Sequence, residues 1–145
     1  MRHIINIIGP PAVGKTTVIR EMQMLLPFYE VLAIDDFRRR VGTSTSEQEP
    51  TAWNQLWLSI LQAEYCVVES SGTSPLLGMM LDRLWRAPGT NILTVALRAS
   101  PKICRERQQQ RSEAGHPELP ASVGQKWIPI SEMSVSMSID TAKHS

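Results

Sequence analysis

The sequence predicts a three-layer α/β fold, and two patterns support this. Short apolar, β-branched runs recur along the chain with helical patterns between them: "HIINIIG", "EVLAIDD", "YCVVESS", "NILTVALRAS" and "MSVSMSID". The first four runs are almost continuously apolar, which is typical of strands that a parallel sheet buries on both faces. Because strand and helix alternate, we expect helices on both sides of one parallel sheet.

Four helical segments separate these strands. The first two, "KTTVIREMQMLL" and "TAWNQLWLSILQAEY", carry apolar residues at helical spacing, which predicts one buried face for each. Those faces comprise Val18, Ile19, Met22 and Leu25, and Trp53, Leu56, Trp57, Ile60 and Leu61. The last two, "SPLLGMMLDRLWR" and "SPKICRERQQQR", each open with Ser-Pro, which predicts a serine N-cap followed by proline at the first helical position.

Length and composition predict a single domain spanning residues 1–145. Hydrophobic residues make up 42% of the chain and charged residues 20%, which is ordinary for a soluble globular protein. No apolar run approaches the ~18 to 20 residues of a membrane helix, so we expect no membrane partner and a cytoplasmic location. Cys66 and Cys104 lack metal-type spacing and are predicted to be buried free thiols.

The formal net charge of +1 is unevenly distributed. Residues 41–82 contain no Lys or Arg and five acids, whereas residues 98–111 contain five basic residues and one acid. A local cationic surface suits phosphates gripped at one site better than a long duplex.

The segment "GPPAVGKT", Gly9 to Thr16, is a complete G-x-x-x-x-G-K-[ST] motif between a predicted strand and a predicted helix. In this P-loop, glycines let successive backbone N–H groups turn inward around an anion at the helix N-terminus. We predict that ATP binds here, with Lys15 at the β- and γ-phosphates and the Thr16 hydroxyl on Mg²⁺. The predicted nucleotide-binding residues are Gly9, Ala12, Val13, Gly14, Lys15, Thr16, Thr17 and Arg107.

The stretch "VLAIDDFRRR" sets two carboxylates at the end of the second predicted strand, on the same edge of the sheet as the P-loop. The chain lacks the N-K-x-D motif of switch GTPases and is short for a motor or AAA-type ATPase, which leaves the small kinases. We predict Asp35 as the general base, Asp36 as the N-cap of a helix beginning at Phe37, and Arg38 as a contact for an acceptor phosphate. Alternatively both acids are caps and the arginines form a solvated face.

Glu69 ends the third predicted strand, where a carboxylate can position Mg²⁺ through water. It is therefore predicted as a metal and substrate residue, with Ser70 as a further acceptor contact. The alternative is an ordinary exposed glutamate at a strand end.

Arg107 and Arg111 lie four residues apart and would share one helix face near the triphosphate. They are predicted to be catalytic and to lead into a lid at about residues 111–124 that excludes water. The alternative is a basic amphipathic helix.

These motifs together resemble the small P-loop kinase family, and within it the kinase domain of bacteriophage-type polynucleotide 5′-hydroxyl kinases. The likeness is carried by "GPPAVGKTT", "IDDFRR", the acid of "VVES" and "RQQQR". The resemblance implies a five-stranded parallel sheet in the order 2-3-1-4-5, Asp35 as base, Arg38 as the acceptor-phosphate contact, and Arg107 and Arg111 around ATP. Glu69 departs from the aspartate that is usual at its position.

The expected function is ATP- and Mg²⁺-dependent transfer of a phosphoryl group to a hydroxyl of a nucleic acid or nucleotide. A related group of phage kinases acts on a hydroxymethyl group of a modified DNA base, and this chain resembles those equally. The alternatives are a small-metabolite kinase of the shikimate, gluconate or antibiotic type and a non-catalytic nucleotide-binding module. The acceptor, the oligomeric state and the choice between ATP and GTP stay open.

Overall fold

The fold is a five-stranded sheet with helices on both faces. The structure, a computed structural model, describes residues 1–42, 46–113 and 137–141. Its elements in chain order are β1 (Arg2–Ile8), α1 (Lys15–Leu25), β2 (Glu30–Ala33), α2 (Ile34–Val41), a 3₁₀ turn (Ser46–Gln48), α3 (Glu49–Gln62), β3 (Tyr65–Ser70), α4 (Pro75–Arg86), β4 (Thr90–Arg98), α5 (Pro101–Glu113) and β5 (Met137–Asp140).

The strands are arranged in the order β2-β3-β1-β4-β5, and every neighbouring pair is parallel. Both the α/β class and the predicted strand order are therefore confirmed. Because all strands run the same way, their carboxyl ends form one edge of the sheet. The loop after β1, the start of α2 and the end of β3 all lie along that edge.

Two separate apolar cores flank the sheet because successive side chains of a strand point to opposite faces. In β3, Cys66 and Val68 belong to the core that contains α3 and α4, whereas Val67 belongs to the core that contains Ile19 of α1 and Cys104 of α5. Both cysteines are buried and free, as predicted. Burial raises the pKa of the Cys66 thiol to about 11, so it stays protonated at neutral pH.

Most residues of the predicted helix faces are at least partly buried, and two residues are exceptions. Trp53, Leu56 and Ile60 of α3 are inside the core, but Leu61 is half-exposed. Leu25 was predicted to be buried and is 80% exposed; it is the last residue of α1. Ser74 caps α4, accepting a hydrogen bond from the Leu76 N–H, as the Ser-Pro pattern predicts.

The second strand is shorter than its apolar run suggests. β2 pairs with β3 only from Glu30 to Ala33, and α2 begins at Ile34 with Ala33 as its N-cap. The prediction that Asp36 caps a helix beginning at Phe37 is therefore wrong. Both aspartates lie inside the first turn of α2, where negative charge favours the helix through its dipole.

We predict that Gly9→Ala destabilises the fold. A Cβ at Gly9 would lie 2.9 Å from the Leu97 carbonyl oxygen and 2.9 Å from Val13 Cγ1, so backbone must move. The expected loss in free energy of unfolding is about 1–3 kcal/mol, measured by denaturant titration.

The matched control for this substitution is Gly78→Ala in α4, where an added Cβ meets nothing within 4 Å. It should stabilise the protein by about 0.5–1 kcal/mol because alanine favours a helix interior. Equal stability of the two variants would contradict the close approach of Gly9 to β4.

Candidate active site

The P-loop joins β1 to α1 and has the backbone of an anion cradle. Gly14 is the N-cap of α1 with φ of 107°, and Ala12 also has a positive φ, 62°. Positive φ values turn consecutive N–H groups to the concave side of the loop, next to the open N-terminus of α1. Gly14 meets the conformational requirement without strain, since φ near +107° disfavours any Cβ.

Lys15 begins α1 and folds its side chain back over the loop. Its Nζ donates to the carbonyl oxygens of Gly9 and Pro10, the latter at 3.2 Å. These two hydrogen bonds hold the ammonium against the P-loop, in the region where the motif predicts phosphates. Thr16 and Thr17 follow in the first turn of α1, and both side chains are exposed.

A threonine that the sequence analysis missed binds the backbone of the P-loop. The hydroxyl of Thr141, directly after β5, donates to the Val13 carbonyl oxygen at 2.6 Å. Its backbone N–H donates to Arg98 O at 2.8 Å, and its Cγ2 would be 3.7 Å from a Cβ on Gly14. Thr141 therefore ties the end of β5 to both β4 and the phosphate loop.

Arg107 of α5 contacts the same Val13 carbonyl oxygen and Thr141 itself. Its Nη1 donates to the Val13 carbonyl oxygen and to Thr141 Oγ1, both at 2.9 Å. The predicted lid arginine thus lies beside the P-loop, with its guanidinium on a loop carbonyl. Arg111 belongs to the last turns of α5, one turn after Arg107. The rest of the predicted lid, residues 114–124, lies outside the described part of the chain.

Glu69 points to the P-loop side of the sheet. It shares the face of Val67, whose core contains α1, and it is half-buried. Burial raises its pKa above the ordinary value, the Lys15 cation opposes this, and the charges of Asp35 and Asp36 add to it. The three carboxylates and Lys15 therefore form one electrostatic cluster at the carboxyl edge.

Ser70 points to the opposite face. It is buried, and its hydroxyl accepts a hydrogen bond from the Gly72 N–H at 3.1 Å. This bond stabilises the turn after β3, where Gly72 has a φ of 83° and a Cβ would lie 2.9 Å from Ile8 Cβ. The geometry gives Ser70 a structural partner in that turn.

Asp35 lies in the first turn of α2 with its side chain 69% exposed. One of its oxygens, Oδ1, accepts a hydrogen bond from Arg38 Nη1 at 2.9 Å. The carboxylate is thus open to an incoming hydroxyl and is oriented by a cation three residues later. This arrangement suits a general base, which needs access and a fixed direction.

Arg38 also has a partner that the sequence analysis missed. Glu49, at the start of α3, accepts hydrogen bonds from Arg38 Nε and Nη2, and its Oε1 accepts a further one from Trp53 Nε1 at 3.0 Å. Although burial acts to lower the pKa of Arg38, the hydrogen bonds and charges of Glu49 and Asp35 raise it above its ordinary value. Arg38 is accordingly a cation held between two carboxylates.

The site residues fit Mg²⁺ that is bound chiefly through a nucleotide. Among the described residues, no group of three or more His, Cys, Asp or Glu side chains could hold a metal ion. A hydroxyl from Thr16 and a carboxylate from Glu69 supply the hard oxygen donors that Mg²⁺ prefers alongside phosphate oxygens and water.

Comparison with known protein families shows to which family the chain belongs. A family model described as "AAA domain" matches residues 4–128. The chain belongs to this AAA domain family. The family description contains the term AAA, and AAA-type ATPases were set aside in the sequence analysis because this chain is short for them. The strand order and the similar solved structures are nevertheless those of P-loop kinases.

Solved kinases share this architecture across nearly the whole chain. A gluconokinase from Sinorhizobium meliloti is similar with a TM-score of 0.67 and 19% identity, covering 98% of this chain and 85% of that one. The APS kinase of Mycobacterium tuberculosis, solved with AMPPNP and APS, has a TM-score of 0.67 and 12% identity, covering 96% and 88%. A search of curated proteins found no match.

A chain of the Pnkp1/Rnl/Hen1 RNA repair complex is also similar. Its TM-score is 0.71 at 16% identity, and the match covers 90% of this chain and 43% of that longer one. The AAA domain family member described here therefore has a P-loop kinase fold shared by proteins with different acceptors. Among its described helices, none has the length and apolar character needed to cross a bilayer.

We predict that Thr141→Val weakens nucleotide binding. The valine keeps the shape but loses the hydroxyl that donates to the Val13 carbonyl and accepts from Arg107, so the P-loop loses its support. We expect about tenfold weaker binding of a fluorescent ADP analogue, in line with the ~1–3 kcal/mol cost of leaving a buried group unsatisfied.

Thr90→Val is the matched control for this experiment. Thr90 begins β4 at the opposite edge of the sheet, and its buried hydroxyl makes no hydrogen bond within the described residues. Nucleotide affinity should be unchanged in this variant. The same loss of affinity in both variants would show that Thr141 does not act through the P-loop.

Proposed function

We propose that this chain is an ATP-dependent kinase that transfers the γ-phosphoryl group to a hydroxyl acceptor. One observation carries the proposal: a complete P-loop, the exposed Asp35 and the half-buried Glu69 lie along one edge of a sheet with kinase topology. An ATP-binding module without transfer activity would have no need of an oriented, accessible carboxylate beside its phosphate loop.

In the proposed reaction, Asp35 takes the proton of the acceptor hydroxyl as its oxygen attacks the γ-phosphorus. The bond between that phosphorus and the β–γ bridging oxygen breaks, and ADP leaves with the electron pair. Lys15, the N–H groups of the P-loop and the arginines Arg107 and Arg111 are proposed to stabilise the charge on the transferring group. Mg²⁺, held by Thr16 and Glu69, would neutralise the β- and γ-phosphate oxygens.

As acceptor we propose a hydroxyl of a nucleic acid or nucleotide. The likeness in fold to a chain of an RNA repair complex supports this choice. A hydroxyl on a modified DNA base belongs to the same proposal.

A small-metabolite kinase is the second candidate, and one observation favours it. Arg38, the predicted contact for an acceptor phosphate, already binds Glu49 and Asp35. A carboxylate-rich acceptor site suits a neutral hydroxyl compound better than a polyanion.

The acceptor class can be tested with γ-labelled ATP and a panel of oligonucleotides, modified-base DNA, nucleosides, sugars and other hydroxyl metabolites. We expect label to appear in a nucleic acid or nucleotide. Label found only in a metabolite would select the second candidate. ATP binding without transfer to any acceptor would contradict the kinase proposal itself.

We predict that Asp35→Asn lowers kcat by about 10²- to 10⁴-fold, because the amide cannot take the proton of the acceptor. ATP affinity should be unchanged, since Asp35 lies outside the P-loop. Single-turnover transfer and nucleotide titration measure the two quantities separately.

Asp36→Asn is the neighbouring control. Asp36 is 51% exposed and pairs with Arg39 at 3.3 Å on the same helix. We expect near-normal kcat in this variant. A large loss in Asp36→Asn together with an active Asp35→Asn would move the base to the second aspartate.

A further inference from the structure

The guanidinium of Arg38 is occupied on two of its edges. Its Nε and Nη2 form a bidentate pair with the carboxylate of Glu49, and its Nη1 binds Asp35 at 2.9 Å. The Nε–Nη2 edge is one of the paired-donor edges with which arginine grips a carboxylate or a phosphate. Glu49 therefore fills one edge that an acceptor phosphate could use, and Asp35 takes the Nη1 donor of the other.

Glu49 is fixed in this position by its own surroundings. It lies in the first turn of α3, where its negative charge is favoured by the helix dipole. Trp53, one turn later and almost fully buried, donates its indole N–H to Glu49 Oε1 at 3.0 Å. Arg38 and the buried Trp53 thus both hold the Glu49 carboxylate, which distinguishes it from a mobile surface charge.

The pair with Glu49 is also partly buried. The side chains of Arg38 and Glu49 are 33% and 29% exposed, whereas Asp35 is 69% exposed. A phosphate that displaced Glu49 would separate that partly buried carboxylate from the Arg38 cation, which is costly. The exposed carboxylate of Asp35 would repel the same phosphate.

We infer that Glu49 determines acceptor specificity by occupying the phosphate-binding edge of Arg38. The acceptor then presents its hydroxyl to Asp35 without a phosphate beside it: a hydroxyl on a base or on a neutral metabolite fits, and a hydroxyl flanked by a phosphate is rejected. Arg38 serves to orient Asp35. This inference rests on the proposed kinase function, and it narrows the proposed nucleic-acid acceptors to hydroxyls that have no phosphate beside them, such as a hydroxyl on a base.

Binding of inorganic phosphate tests the inference without an identified acceptor. The P-loop is first saturated with ADP and Mg²⁺, and phosphate affinity is then measured by calorimetry. We expect wild-type protein to show no phosphate binding that depends on Arg38. Glu49→Gln removes the charge at constant shape and should bind phosphate about tenfold more tightly.

Two further variants identify the cause of that gain. Glu49→Gln combined with Arg38→Gln should lose the gained phosphate affinity, because the gain comes from the released guanidinium. Glu47→Gln is the matched control: Glu47 is an exposed acid in the neighbouring 3₁₀ turn, and its loss changes the net charge equally. It should leave phosphate affinity as in wild type.

Several results would overturn the inference. These are Glu49→Gln with unchanged phosphate affinity, an equal gain in Glu47→Gln, or wild-type affinity that falls on Arg38→Gln. Should Glu49→Gln fail to fold, the comparison of wild type with Arg38→Gln still decides. Failure of the P-loop to bind ADP would count against the proposed function instead.

The same variants can be tested for transfer once an acceptor is labelled. The probe is a matched pair that differs only by a phosphate near the hydroxyl, such as thymidine and thymidine 3′-monophosphate. Wild type should favour the unphosphorylated member, and Glu49→Gln should shift the ratio of kcat/KM about tenfold toward the phosphorylated one. A wild-type preference for the phosphorylated member would overturn the inference even if the kinase proposal holds.

Discussion

The site depends on the parallel pairing of β1 with its two neighbours. In that register Ile8 lies opposite Ser70 of β3 and Ala96 of β4, so β1 and β3 end together at the carboxyl edge while β4 continues to Arg98. The P-loop can then leave β1 close against β4, where Gly9 has room for no side chain. The same register sets Glu69 on the face of the phosphate loop. A slip of one residue would turn Glu69 toward the other core.

The sequence was most informative where the chemistry is local. The P-loop is one continuous segment between a strand and a helix, so its motif alone located it and predicted its ligand class. The strand order was confirmed as well, but it came from resemblance to a family. Asp36 shows the limit of local reasoning: an apolar run followed by two acids does not reveal that β2 ends at Ala33, because that end is set by pairing with β3.

Two structurally important residues were missed because their partners are distant in the sequence. Thr141 contacts Val13 from 128 positions away, and an isolated threonine after a short strand has no pattern that distinguishes it. Glu49 lies 11 positions from Arg38 and was counted only as part of an acidic stretch. That stretch did carry information: a segment with acids and no basic residue, next to three consecutive arginines, favours ion pairing between the two. Arg38 of α2 and Glu49 of α3 form such a pair.

The charge around the site differs between the proposed ATP-binding half and the proposed half for the phosphate acceptor. The donor half combines N–H groups of the P-loop, the N-terminus of α1 and Lys15, all of which favour a polyanion. The acceptor half combines Asp35, Asp36 and Glu49 with an arginine that two of these carboxylates already bind. A hydroxyl approaching Asp35 would therefore meet several carboxylates, which disfavour a second phosphate. The orientation of the proposed base and the proposed acceptor discrimination thus depend on the same arginine, so a change that admits a phosphate at Arg38 would also alter the contacts of Asp35.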